Sequence, residues 1–186
     1  MTSTTITIII IVVVVAVVAL ALVGIFVSRR RTARQQERQE SARQEYGSEY
    51  ERAAEELGSE RKAEQELRER RERLEDEVQP LSEESRRRYE EQWRRVEQTF
   101  VDDPAASLDD ADQVVGEILT ERNFPTDSRQ EASKGVGVMY PGVVEDFREA
   151  QRVHKEAVHS EEGTSLEVMR QAIQKYRAVY ERLTRE

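Results

Sequence analysis

A run of 22 residues without a charged side chain, Ile6 to Val27 (ITIIIIVVVVAVVALALVGIFV), constrains this chain more than any other feature. At roughly 1.5 Å rise per residue it is long enough to cross a hydrocarbon core as a helix. Its β-branched Ile and Val would favour a strand in water. In lipid every backbone polar group must be satisfied within the segment, so a helix is expected. A cleaved signal peptide is the rival reading, with Ala19-Leu20-Ala21 as the cleavage site. The tail MTSTT has no basic residue and the apolar run exceeds a usual signal core, so a retained anchor is favoured. Ala16, Ala19, Ala21 and Gly24 form no small-xxx-small face, so no dimerisation through this helix is expected.

The flanks set the orientation. Arg29, Arg30, Arg31, Arg34 and Arg38 follow the run and nothing basic precedes it. The positive-inside rule then puts the short tail 1–5 outside and the rest of the chain in the cytoplasm, at the plasma membrane. The lipid bilayer is thus the first expected partner. If the run were a cleaved signal, the protein would be exported instead.

Behind the anchor the charge changes sign. Residues 28–45 carry six Arg and three Glu, net +3; residues 46–80 are net −5 and residues 81–186 net −7, which together give −9. The acidic balance argues against nucleic acid, which needs a basic face to neutralise phosphates. The absence of cysteine excludes thiol nucleophiles, disulfides and Cys-based metal sites. Abundant Glu, Arg, Ala and Gln with few Gly and Pro make the fold class all-α.

Residues 28–80 read as a basic juxtamembrane segment and a charged stem. Continuous helix from Arg29 to Gln79 would extend about 75 Å. Tyr46, Ala53, Leu67, Leu74 and Leu81 fall in one heptad register, and Tyr50, Leu57 and Val78 on the complementary seam position. Glu60, Glu64 and Arg71 interrupt the seam. The register allows a homo-oligomer through a parallel coiled coil. The polar interruptions favour instead a single helix, or one that packs back on its own domain. Gly47-Ser48-Glu49 and Gly58-Ser59-Glu60 are the expected kinks, since Gly within a helix costs about 1 kcal/mol against Ala.

Pro80 ends the stem, and residues 81–186 read as a four-helix, bundle-like domain. Ser82 caps a helix with Tyr89, Trp93, Val96 and Phe100 on one stripe. Asp103 and Pro104 open the next, with Leu108, Ala111, Val115, Ile118 and Leu119 apolar. Between Thr126 and Gly142 the pattern TDSRQEASKGVGVMYPG predicts a short helix over Ser128–Lys134, broken by Gly135-Val136-Gly137 and Pro141-Gly142. A third helix carries Val143, Phe147, Ala150, His154 and Ala157. The last is expected to open on a Thr164–Glu167 capping box and to bury Leu166, Met169, Ile173, Tyr176, Tyr180 and Leu183. Both aromatic stripes are read as core, because such side chains bury large areas.

No catalytic, metal or cofactor constellation emerges. His154 and His159 lie about 140° apart around a helix and cannot chelate as a pair. Asp102, Asp103, Asp109, Asp110 and Asp112 lack the spacing of a calcium loop and suit a helix N-terminus. Gly135-Val136-Gly137 has no third glycine and no preceding strand, and GxSxG is absent. Arg86-Arg87-Arg88, flanked by Glu83, Glu84, Glu90 and Glu91, reads as a solvated face.

The stretches ERKAEQELRERRERLE (60–75), PLSEESRRRYEEQWRRVEQTFVDDPAASLDDADQVVGEILTERNFP (80–125), VVEDFREAQRVHKEAV (143–158) and LEVMRQAIQKYRAVYERL (166–183) resemble a family of uncharacterised bacterial single-pass, membrane-anchored helical proteins. The most specific string is YEEQWRRVEQTFVDDP with the DDADQVV that follows. The resemblance implies an anchored helical architecture and carries no activity or functional residue with it. KGVGVMYPG departs from the family pattern. The expected function is a non-enzymatic interaction or scaffolding module with an unidentified protein partner, docking on the last helix or near Tyr140. A self-assembling envelope protein and a small-ligand sensor or enzyme are the alternatives.

Overall fold

The structure, a computed structural model, describes residues 39–159 and 164–185. The span expected over Ile6–Val27 and the arginines Arg29, Arg30, Arg31, Arg34 and Arg38 lie outside the described residues. No helix among the described residues is long and apolar enough to cross a membrane. All their regular structure is helical: α1 over 39–46, α2 Ser48–Leu57, α3 Glu60–Glu77, α4 Glu83–Asp102, α5 Pro104–Glu121, α6 Arg129–Met139, α7 Val144–His159 and α8 Leu166–Thr184.

The stem is not one long helix. Gly58 adopts φ 62° and ψ 22°, the left-handed conformation that glycine reaches without a steric penalty, and its N–H caps α2. Ser59 then caps α3 by accepting from the Lys62 N–H. The chain reverses, and Arg71 of α3 reaches Glu45 at 2.7 Å. Tyr46, Tyr50, Leu67 and Leu74, which carry the heptad register, are buried within the same chain. Arg43–Glu186 form one compact unit. The physical reason is burial: a lone stem would leave those tyrosines and leucines in water, at about 1.5–3 kcal/mol each.

Four helices make the main core. α4 packs on α5, α5 and α7 on α8, and α5 on α7. Trp93 stacks on Tyr180 with centroids 4.6 Å apart. Ser107, fully buried on α5, donates to the Val96 carbonyl of α4 at 2.9 Å. The caps follow the sequence at Ser82 and at Asp103, whose side chain accepts from the Ala106 N–H ahead of Pro104. They differ at α8, where Ser165 rather than Thr164 accepts from the Val168 N–H and Glu167 turns to Arg170.

α6 bridges α7 and the α2–α3 hairpin. It runs through Gly135 and Gly137, which therefore do not break the helix. A Cβ on Gly135 would lie 3.3 Å from Phe124 Cδ1 and Pro125 Cδ, and one on Gly137 only 2.9 Å from Glu49 Oε2. These glycines permit close approach. Gly116, in the middle of α5, has nothing within 4 Å of its would-be Cβ. Substituting alanine at the two sites should therefore have opposite signs. Gly116→Ala raises stability by about 0.5–1 kcal/mol through helix propensity, and Gly137→Ala lowers it by about 1–2 kcal/mol by displacing the Glu49 carboxylate. Urea midpoints of the two variants check this; a rise for both would contradict the close approach at Gly137.

Candidate functional site

Three core helices and the start of α6 converge on one polar cluster. Asp109 and Asp112 sit three apart on α5, so both look out from one face. Ser128 caps α6 and leaves Arg129 as its first residue. His154 comes from α7 and is 7% exposed. Its Nε2 lies 2.5 Å from Asp109 Oδ1, and its Nδ1 lies 3.4 Å from an Arg129 Nη1. Arg129 Nη2 pairs with Asp112 Oδ2 at 2.8 Å. Tyr176, fully buried on α8, donates to Asp112 Oδ1 at 2.9 Å.

Arg129 can only donate and Asp109 only accept, an arrangement that the tautomer with its hydrogen on Nε2 satisfies; Nδ1 also lies 3.7 Å from Asp112 Oδ2. Both ring nitrogens are engaged. Burial, and next the Asp112 charge, hold the Tyr176 phenol well above its ordinary pKa, so it stays a donor. The arrangement cross-links helices and holds Arg129 in place.

Two clefts flank the cluster, and Arg129 and Gln151 line both. One, of about 610 Å³, has a floor of Gly116, Leu119, Ala132 and Phe147 and the charged side chains Arg88, Asp112, Glu117 and Glu121 around it. In it Arg88 pairs with Glu121 and Arg129 with Asp112. The other, of about 570 Å³, is lined by Arg129, Arg148, Arg152, Lys155 and His154, with Asp109 as its carboxylate. Among the described residues no three His, Asp or Glu side chains are grouped to hold a metal ion.

Comparison with protein-family models, with curated proteins and with solved structures finds no match to this chain.

Tyr89, Trp93, Val96, Ile173, Tyr176, Tyr180 and Leu183 are buried, and Phe100 and Met169 are half-buried against the core. Leu166 is 59% exposed. It is the first residue of α8, one turn ahead of the stretch that packs. Tyr140, expected on a recognition face, is buried, with Arg122 and Arg182 over its ring. Asp109 and Asp112 serve side chains of other helices rather than the N-terminus of their own. Arg129 and Arg148 were not singled out. The spacing of Arg148, Arg152 and Lys155 at i, i+4 and i+7 on α7 was the available signal.

Glu121 shows what the polar rim contributes. The Ser85 hydroxyl, then Tyr89 and Arg88, hold its carboxyl below the ordinary value of 4.5. A depressed folded pKa stabilises the fold above the unfolded pKa, and that contribution is lost as pH falls through the folded value. Glu121→Gln should therefore flatten the loss of stability below about pH 4.5. Melting curves of both proteins between neutral and acidic pH test this, and parallel curves would refute it.

Proposed function

We propose that this chain is a non-enzymatic, single-pass module that displays a helical bundle on the cytoplasmic side of the plasma membrane and there engages a protein partner. The uncharged run Ile6–Val27, followed by five arginines and preceded by none, carries the reading. The all-helical unit that begins at Arg43 supports it, since it follows the run by a short basic segment.

Alkaline carbonate extraction tests the anchor. The full chain should stay in the membrane pellet, and a chain lacking residues 6–27 should move to the supernatant. Release of the full chain by carbonate, or retention of the shortened one, would overturn the reading.

A further inference from the structure

The second cleft inverts the charge of the molecule. The chain is net −9, yet this concavity is lined by four permanent cations, Arg129, Arg148, Arg152 and Lys155, against one carboxylate, Asp109. Asp109 is turned to the His154 Nε2–H, which satisfies part of its accepting capacity. The other carboxylates that hold these arginines do not line the cleft. Arg148 is held by Glu49 and Glu145, Arg152 by Glu149 and Glu156, and Arg129 by Asp112. They orient the guanidinium groups through ion pairs and offset part of their charge. Arg129 and Arg148 each spend Nη1 and Nη2 bonds on these partners and Arg152 spends Nε, Nη1 and Nη2 bonds, and each retains N–H donors of its five-donor fork.

Elsewhere on the surface Arg94 pairs with Glu90 of its own helix, and Arg177 with Glu181 and with Glu97 of α4; neither arginine lines this cleft. On α7 the basic residues stand on one stripe and face a basic residue of α6 across about 570 Å³, the size of a small-molecule site. Guanidinium forks match phosphate oxygens in pairs, and a concave low-dielectric wall strengthens the field on an anion.

We propose that the cleft between α5, α6 and α7 binds a phosphate group, with Arg129, Arg152 and Lys155 as its ligands and Gln151 as a neutral donor. The phosphate belongs either to a soluble phosphate compound or to a phospholipid headgroup. The inference rests on the cleft alone and stands whether or not the chain is membrane-anchored.

The test uses the full chain in non-ionic detergent micelles. Isothermal calorimetry follows sodium pyrophosphate at constant ionic strength, and in a second arm dioctanoyl phosphatidylglycerol against dioctanoyl phosphatidylcholine. The cleft should bind pyrophosphate, the glycerol lipid or both saturably, and the arm that binds identifies the source. Arg152→Gln with Lys155→Gln, both exposed side chains, should weaken that binding by at least about tenfold, the effect of losing charge-assisted hydrogen bonds. Arg94→Gln should leave it unchanged. Circular dichroism melting confirms that each variant is folded. No saturable binding in either arm, or binding that the double variant retains, would overturn the proposal; the latter would point to basic residues outside the cleft.

Discussion

Arg148→Met should destabilise the bundle by about 3–5 kcal/mol, because it leaves a buried carboxylate without its counter-charge. That carboxylate is Glu49 of α2, only 4% exposed and pressed against Gly137 of α6. Arg148 of α7 is its partner, and it also holds Glu145 at 2.8 Å. A surface ion pair would be worth under about 1 kcal/mol; the difference here is desolvation. The double variant Glu49→Met/Arg148→Met should recover most of the loss, since the apolar pair no longer buries a lone charge. Urea unfolding followed by Trp93 fluorescence measures all three. A single-variant loss below about 1 kcal/mol would mean that water reaches Glu49.

Arg122→Met should cost about 3 kcal/mol, by another route: the buried Leu183 carbonyl and the part-buried Gln79 carbonyl lose their donor, at about 1–3 kcal/mol each. Arg122 is 3% exposed at the end of α5. Its Nε donates to the Gln79 carbonyl at 3.0 Å and its Nη1 to the Leu183 carbonyl at 2.8 Å. The guanidinium lies 5.7 Å from the ring centroids of both Phe124 and Tyr140. Its own carbonyl accepts from the Gln79 N–H at 3.0 Å. One side chain thus ties the end of α8, the α3–α4 connection and the end of α5 together. A melting point lowered by roughly 6–12 °C is expected for a chain of this size. An unchanged melting point would mean that the carbonyls find other donors.

Local chemistry made much of the fold legible. Ser82 and the Asp103-Pro104 pair mark helix starts, and the Tyr89–Trp93–Val96 and Ile173–Tyr176–Tyr180 stripes mark buried faces, because caps and periodicity depend on neighbours in sequence. The reversal at Gly58 was less legible. A glycine in a charged helix can kink or turn it, and what decides is the burial of Tyr46, Tyr50 and Leu67, which depends on distant partners. The same holds for Gly135 and Gly137, where the sequence shows a missing Cβ but not the Glu49 and Pro125 that occupy its place. The cluster around His154 was hidden for a related reason. Its contacts join residues 25 and 45 positions apart, and the acidic run on α5 already had a sufficient local explanation at the helix start.

Sidedness at the membrane is the most direct test of the proposed anchored module. The chain has no cysteine, so Glu84→Cys, at an exposed position in the first turn of α4, gives one reporter. Intact and permeabilised cells are treated with a membrane-impermeant maleimide. Labelling only after permeabilisation is the predicted result and puts the bundle on the cytoplasmic side. Labelling of intact cells would contradict it and make the protein an exported module with its partners outside the membrane.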